Sequence, residues 1–117
     1  MNYDDSTVFA RILRREIPAK ILHEDHLCLA FADVAPQAPT HFLVIPKVPI
    51  ARLADVDMEH KAVLGHLLWA AAKIARDLGV AADGFRCVVN SGARAGQTVF
   101  HLHVHVLAGR DLRWPPG

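Results

Sequence analysis

Three histidines alternate with aliphatic residues in the run HLHVHVL at positions 101–107. In an extended strand, successive side chains point to opposite faces, so His101, His103 and His105 are predicted to share one face. The aliphatic residues between them would share the other face, where a core can bury them. Three imidazoles that titrate near neutral pH gain no stability from crowding together. The pattern therefore indicates a catalytic cleft.

Metal binding is the alternative chemistry, because His-x-His on a strand is a known ligand pattern and imidazole suits zinc. At the rise of a strand, the Cα atoms of His101 and His105 lie about 13 Å apart. Zinc–nitrogen bonds are only about 2 Å long, so one ion takes two adjacent histidines but not all three without distortion. No cysteine or acidic cluster stands nearby. We expect neither a metal nor another cofactor.

Length and composition predict one globular domain over residues 1–117. The chain is 52% hydrophobic and 21% charged, which is not the composition of a disordered chain. A net charge of +1 without a basic patch argues against a nucleic-acid partner. No run of about 18 apolar residues is present, so we expect no membrane span.

The two cysteines, Cys28 and Cys87, lie in apolar stretches without zinc-site spacing. They predict reduced core residues in a cytoplasmic protein, because two thiols do not make a disulfide scaffold. The acidic run at residues 1–5 lacks the apolar core of a signal peptide.

Hydrophobic periodicity predicts two helices and five strands. Phe9, Ile12 and Leu13 form the stripe of a short helix over residues 7–15, capped by Thr7 or Ser6 and ended by Pro18. A long helix is predicted from Asp55 or Asp57 to about Leu78, with Gly79 as its stop. The predicted strands cover residues 21–24, 27–33, 41–46, 85–90 and 101–107, with residues 98–100 leading into the last.

Short connections between most strands favour antiparallel pairing. The predicted fold class is α+β, with a roughly five-stranded antiparallel sheet and one long and one short helix. We expect the helices on one face of the sheet and the ligand on the other.

Two further segments carry polar groups with more than one interpretation. Asp33 either starts the turn into Ala35-Pro36 or accepts hydrogen bonds from a ligand's hydroxyl pair. The loop at residues 91–97 is either a hairpin connection or a glycine-bearing backbone that approaches a phosphate, and both readings can hold. No nucleotide-binding P-loop or dinucleotide motif is present.

With these residues in hand, the chain resembles the histidine-triad (HIT) family, whose signature is His-φ-His-φ-His-φ-φ with φ apolar. The resemblance is strongest to the nucleoside phosphoramidase branch and extends over nearly the whole chain. The supporting stretches are Ile17–Lys20, Pro36–Lys47, Val89-Asn90, Gly96-Gln97 and Trp114–Gly117.

The resemblance implies a homodimer with one continuous sheet, with the Trp114 tail at or near the subunit interface. It also implies a purine nucleoside monophosphate or phosphoramidate bound to each subunit. His103 would be the nucleophile that forms a covalent nucleotidyl-histidine. His105 would donate a hydrogen bond to a phosphoryl oxygen, and His101 and His41 would form a relay behind the nucleophile.

Further contacts follow from the same resemblance. Asn90 and Thr98 look like contacts to the phosphate and the leaving group, and Asp33 looks like the acceptor of the ribose hydroxyls. The remaining implied nucleotide contacts are Phe9, Ile12, Phe31, Val34 and Leu43 around the base, with Gly96 and Gln97 in the loop. The chain departs from the family pattern at Thr98, often serine, at Pro49, often histidine, and at Val34, usually isoleucine.

The predicted activity is hydrolysis of purine nucleoside 5′-phosphoramidates, with release of a nucleoside monophosphate and an amine. Two alternatives stay open. One is a dinucleoside polyphosphate hydrolase of the same superfamily, which would expel a nucleotide. The other is a nucleotide-binding or scaffold protein whose hydrolysis is vestigial.

Overall fold

Five antiparallel strands form a single sheet in the order β1-β2-β3-β5-β4. The structure, a computed structural model, describes all residues from 1 to 117. The strands are β1 Ile21–Glu24, β2 Cys28–Ala32, β3 Thr40–Pro46, β4 Phe85–Val88 and β5 Val104–Ala108. The helices are α1 Val8–Leu13 and α2 Lys61–Asp77, with short 3₁₀ turns at Leu53–Asp55, Met58–His60 and Ala93–Ala95. The predicted α+β class is confirmed.

Strand β3 is the centre of the sheet, paired with β2 on one side and β5 on the other. In its register with β5, His41 stands opposite Leu107, and Leu43 stands opposite His105. This register brings His41 and His105, which are 64 residues apart in sequence, within hydrogen-bonding distance.

The larger hydrophobic cluster lies between α2 and one face of the sheet. Val63, Leu67 and Ile74 of α2 pack there against strand residues that include Val104 and Val106. Leu102 belongs to the same cluster. The aliphatic residues of the histidine run are therefore buried in a core, as predicted.

Helix α1 covers the opposite face, so the expectation of both helices on one face is wrong. Phe9 and Ile12 of α1 pack on Leu29, Phe31 and Leu43 in a second, smaller cluster. Alternate residues of β2 and β3 point to this face and carry too much apolar surface to be left to a ligand alone. The short helix and the candidate ligand site share one side of the sheet.

Both helices differ from their predicted limits. Thr7 caps α1 through its hydroxyl, which accepts from the Ala10 N–H. The helix ends at Leu13, before Pro18, and Arg15 takes a left-handed φ of 63°. Asp57 caps the 3₁₀ turn Met58–His60, and α2 begins only after that turn.

The histidine run is not one continuous strand. Strand β5 begins at Val104, so only His105 lies in the regular ladder. The Leu102 N–H donates to the Ile50 carbonyl at 2.8 Å, away from the sheet. The prediction of a single histidine face is therefore wrong for His101, which is completely buried and does not line the cavity described below.

Cys28 is buried as predicted, whereas Cys87 is exposed, which corrects the expectation of two core cysteines. Cys87 lies on β4, an edge strand of the sheet, where nothing within the chain packs over it. Neither helix is long and apolar enough to cross a bilayer.

Candidate active site

A cavity of about 560 Å³ lies between α1 and the sheet. Its apolar wall comes from the smaller cluster and its polar end from two histidines and the loop before them. The residues implied for the base line it: Phe9, Ile12, Phe31, Val34 and Leu43. Val34 is 99% exposed, so it forms the outer rim and not the floor.

His103 is held in one tautomer by the backbone. Its Nδ1 lies 2.7 Å from the His101 carbonyl oxygen, which only accepts hydrogen bonds, so Nδ1 carries the proton. Nε2 is left with the free lone pair, on a ring that lines the cavity. Phe9 packs edge-on against this ring, with centroids 5.0 Å apart. The orientation suits a nucleophile.

A second chain of hydrogen bonds sets the tautomer of His105. The backbone N–H of Gln37 donates to His41 Nδ1 at 3.0 Å, so the His41 proton is on Nε2. His41 Nε2 lies 3.0 Å from His105 Nδ1 and donates to it. The His105 proton must then be on Nε2, the nitrogen available to donate to an anion in the cavity.

His101 belongs to a separate network. Its Nε2 donates to the Pro46 carbonyl at 2.9 Å, and its Nδ1 accepts from the Tyr3 hydroxyl at 2.6 Å. The predicted relay between His101 and His41 is therefore wrong: His41 pairs with His105. The reason is the break in the strand before β5, which directs the His101 ring to the Pro46 end of β3, away from His41. Its hydrogen bond to His103 is made through its backbone carbonyl.

Burial keeps the three histidines neutral. Desolvation lowers the pKa of His101 and of His103, and in each case a hydrogen bond to a carbonyl opposes the shift in part. Desolvation also lowers the pKa of His105 to about 4, helped by the nearby His103 and His41 rings. A neutral imidazole is the form that can attack phosphorus.

Asp33 forms the turn considered from sequence, and its side chain also faces the cavity. Its Oδ1 accepts from the Ala35 N–H at 2.8 Å, as in a turn, and its Oδ2 lies 3.4 Å from His41 Nε2. Its side chain also lines the cavity beside Phe31. The turn and the cavity wall are therefore compatible.

The loop before the histidines supplies the rest of the polar end. Asn90, Gly96 and Thr98 line the cavity, as predicted. Gly92 and Gly96 have φ values of 94° and 96°, a conformation that glycine adopts without strain. The loop folds back on itself through these two positions.

Gln97 is the implied nucleotide contact that does not line the cavity. Its buried side chain donates to the carbonyls of Ala51 and Val99 and accepts from the Gly92 N–H. Because its donors and its acceptor are occupied within the chain, the Gln97 side chain holds the loop in place and does not face the cavity. The sequence alone gave no way to separate this role from ligand contact.

Six residues of the cavity wall were not predicted as contacts. They are Val8, Ile17, Pro18, Ala19, Ala32 and Val99. Only the stretch Ile17–Lys20 carried a signal, because it supports the family resemblance. The other small and aliphatic residues follow no pattern that separates a cavity wall from a core.

One group in the site has the chemistry of metal ligands. Atoms of Asp33, His41 and His105 lie within 4.8 Å of one another. The same atoms make the hydrogen bonds that orient His105, so an ion held there would break that chain. The arrangement therefore suits hydrogen-bond catalysis better than metal ligation.

Comparisons with known proteins agree on one family. A family model described as the HIT domain matches residues 14–112. An uncharacterised HIT-like protein of Synechococcus elongatus is 58% identical, over 97% of this chain and 98% of its own. The purine nucleoside phosphoramidase of Escherichia coli is 47% identical, over 92% and 91%. A crystal structure of a HIT family hydrolase from Legionella pneumophila superposes with a TM-score of 0.93, at 44% identity over 96% of this chain and 100% of that one.

Proposed function

The chain belongs to the HIT family of hydrolases, and we propose that it cleaves the phosphorus–nitrogen bond of purine nucleoside 5′-phosphoramidates. The products are a nucleoside monophosphate and an amine. The hydrogen bond from His103 Nδ1 to the His101 carbonyl carries the proposal, because it leaves Nε2 unprotonated at the cavity.

In the first step, the His103 Nε2 lone pair attacks the α-phosphorus and a new nitrogen–phosphorus bond forms. The bond from phosphorus to the amine breaks, and the amine takes up one proton from solvent as it departs, with the Thr98 hydroxyl as the contact along its path. The positive charge left on the His103 ring is shared with the His101 carbonyl. His105 Nε2–H donates to a phosphoryl oxygen and stabilises the charge that develops there.

In the second step, water attacks the same phosphorus and the bond to His103 breaks. The phosphoryl–imidazole bond is reactive, so one difficult displacement becomes two easier ones. The attacking water loses one proton, which balances the proton taken by the amine. Neutral His103 returns with its proton still on Nδ1.

The nucleoside is assigned to the apolar part of the cavity. The edge of Phe9 and the ring of Phe31, whose centroids are 5.4 Å apart, offer an aromatic wall for a base. Asp33 lies on the same side, where its Oδ2 can accept from ribose hydroxyls. An apolar slot of this kind stacks a purine without selecting adenine or guanine.

A quenched single turnover tests the covalent step. Untagged protein is mixed with adenosine 5′-phosphoramidate, stopped in denaturant and analysed by mass spectrometry. We expect protein carrying one nucleotidyl group on His103, formed before the monophosphate appears. His103→Ala should form no adduct and lose at least about 10³-fold in kcat/KM.

The matched control is His60→Gln, which changes a histidine of the surface turn before α2. It should label and turn over as the unmodified protein does. Wild-type turnover by His103→Ala, or an adduct on another residue, would refute the proposal.

The second candidate is hydrolysis of dinucleoside polyphosphates, which would use the same nucleophile but expel a nucleotide. The 47% identity to a purine nucleoside phosphoramidase favours an amine. Comparing kcat/KM for diadenosine polyphosphate and for the phosphoramidate decides between the two. A scaffold role with vestigial hydrolysis predicts nucleotide binding without an adduct in the same quenched experiment.

We also propose a homodimer formed through the β4 edge. β4 ends the sheet, and the adjoining concave surface is wholly apolar, lined by Leu53, Leu64, Leu67, Leu68, Val89, Leu102 and Val104. Trp114 is 82% exposed in the single chain and would gain cover from a second subunit. The two free cysteines support a cytoplasmic location.

A further inference from the structure

A second cluster of histidines lies at the turn between β1 and β2, where α2 passes over it. His23 Nε2 and His66 Nε2 lie 2.8 Å and 2.7 Å from the same oxygen, Asp25 Oδ2. The buried thiol of Cys28 donates to that oxygen at 3.6 Å. None of these residues lines the cavity around His103. The active site makes no use of them.

From this convergence we propose that His23, Asp25, Cys28 and His66 form a zinc site. The donors are two imidazoles, one carboxylate and one thiolate, a set that zinc takes in tetrahedral geometry. The ligand atoms of His23, Asp25 and Cys28 already lie within 4.8 Å of one another. His66 is included as the fourth ligand because its Nε2 contacts the same oxygen of Asp25.

The separations from Asp25 are close to those of a zinc site, whereas the His66 ring nitrogen, which is not within 4.8 Å of every other ligand atom, must move further. In a tetrahedral zinc site, nitrogen and oxygen ligand atoms lie about 3.3 Å apart, and oxygen and sulfur about 3.5 Å. The sulfur–oxygen separation here, 3.6 Å, already fits. Each nitrogen–oxygen separation must open by about half an ångström, which side-chain rotation of His23 and His66 supplies.

The surroundings favour a cation. Hydrogen bonds from His23 and His66 to one oxygen suit the ionised form of the Asp25 carboxyl, which only accepts. Its Oδ1 accepts from the backbone N–H groups of Leu27 and Cys28, which fixes the carboxylate in one orientation. The carboxylate is thus charged and preorganised before any ion arrives.

Binding would exchange protons for the ion. The Nε2 protons of His23 and His66 move to Nδ1, and the Cys28 thiol releases one proton to solvent. The buried thiolate forms only with a cation beside it, because nothing else at this position would balance its charge. Loss of the S–H bond is then a direct marker of ligation.

The test uses untagged protein stripped of metal with a chelator. Competition against a chromophoric zinc chelator should give one Zn²⁺ per chain. Co²⁺ as a probe should give the visible spectrum of a tetrahedral complex, together with a sulfur-to-cobalt charge-transfer band. Zn²⁺ should also raise the unfolding midpoint, because it binds the folded state alone.

His66→Gln separates ligation from a merely structural role. Its amide can still donate to Asp25, so the fold and the turn are kept, but the imidazole ligand is gone. We expect Zn²⁺ affinity to fall at least about 100-fold, with no metal-dependent rise in the unfolding midpoint. Cys28→Ser should abolish the charge-transfer band.

Two controls cover the other donor groups of the molecule. His60→Gln changes the exposed group formed with Asp57 and Glu59, and His105→Gln changes the group in the active site. Both should leave the Zn²⁺ affinity unchanged. If binding is lost with either control, or survives His66→Gln, or the Co²⁺ complex lacks the thiolate band, the proposed site is wrong.

Discussion

The backbone N–H of Gln37 determines which nitrogen of His105 carries the proton, although the two residues are linked only through the His41 ring. It donates to His41, whose other nitrogen donates to His105, so His105 presents its proton to the cavity. On the other side, the His101 carbonyl fixes the proton of His103. Two main-chain groups thus leave neighbouring histidines with opposite groups available to the cavity, an N–H on His105 and a lone pair on His103.

Replacing His41, the middle residue of this series of hydrogen bonds, should lower the turnover rate more than it weakens substrate binding. His41→Leu leaves the Nδ1 atom of His105 without a donor, so the ring can turn its lone pair to the phosphate. We expect kcat to fall by about 10- to 100-fold with KM little changed, measured with an adenosine phosphoramidate.

The conservative variant is the control for that prediction. His41→Gln keeps an N–H that can donate to His105, and it should recover part of the lost kcat. Equal activity of the leucine variant and the unmodified protein would mean that the His105 tautomer is not set through His41.

The low pKa of His105 predicts how stability depends on pH. An unfolded histidine has a pKa near 6.5, whereas His105 has about 4 in the folded protein. Between these values the unfolded chain binds more protons, so the free energy of unfolding falls as pH falls from about 6.5 to 4. The loss is about 1.4 kcal/mol per pH unit for one histidine in mid-window.

Urea unfolding at several pH values measures this slope. His105→Gln removes one titrating group and should make the dependence shallower by about one proton, while carboxylates contribute equally to both proteins. Identical slopes for the two proteins would show that burial does not hold His105 neutral.

At the scale of elements, α1 depends on its packing. A helix of six residues is too short to be stable alone, so its place is set by Phe9 and Ile12 in the smaller cluster. The same two side chains line the cavity. α1 is therefore both a structural cover and one wall of the site.

Truncating one of these side chains should affect both properties. Phe9→Ala is expected to lower the free energy of unfolding by about 3 kcal/mol and to raise KM, because it removes the ring that packs on Phe31 and His103. Denaturant titration and steady-state kinetics measure the two effects. Arg11→Ala, at an exposed position of α1, should change neither; a similar effect there would mean that the losses do not come from the contacts of the Phe9 ring.

Periodicity predicted most elements, because the alternation in the strands and the apolar stripe of α2 depend on residues close in sequence. The place of α1 and the break before β5 depend on partners distant in sequence. The His101 ring bonds to the Pro46 carbonyl, 55 residues away, and Leu102 bonds to Ile50. The family resemblance implied most of the residues that line the cavity, but not which ring His41 would contact.

At the scale of the molecule, the sheet separates the candidate active site from the proposed zinc site. The cavity with His103 lies under α1, and the cluster around Asp25 lies at the β1–β2 turn against α2. A third surface, at β4 and the apolar concavity beside it, faces away from the chain's own packing. The surface of the proposed dimer contact and the cavity therefore involve different residues.

A charge in the concavity should disrupt the proposed dimer. Leu68 is 54% exposed in the single chain and lines this surface. Leu68→Glu would bury a carboxylate in the interface, so sedimentation analysis should show monomer where the unmodified protein is a dimer. Leu78→Glu changes a leucine of similar exposure, 46%, outside the concavity and should stay dimeric. A dimeric Leu68→Glu variant would move the interface elsewhere.

The cavity beneath α1 is lined by residues of the smaller cluster, so a bound ligand would pack against that part of the hydrophobic core. An occupied site would slow hydrogen exchange at the amides of α1, while the empty protein should loosen at this helix first. The larger cluster, sealed by α2, gains nothing from occupancy. Ligand binding should therefore be detected most directly as slower hydrogen exchange in α1.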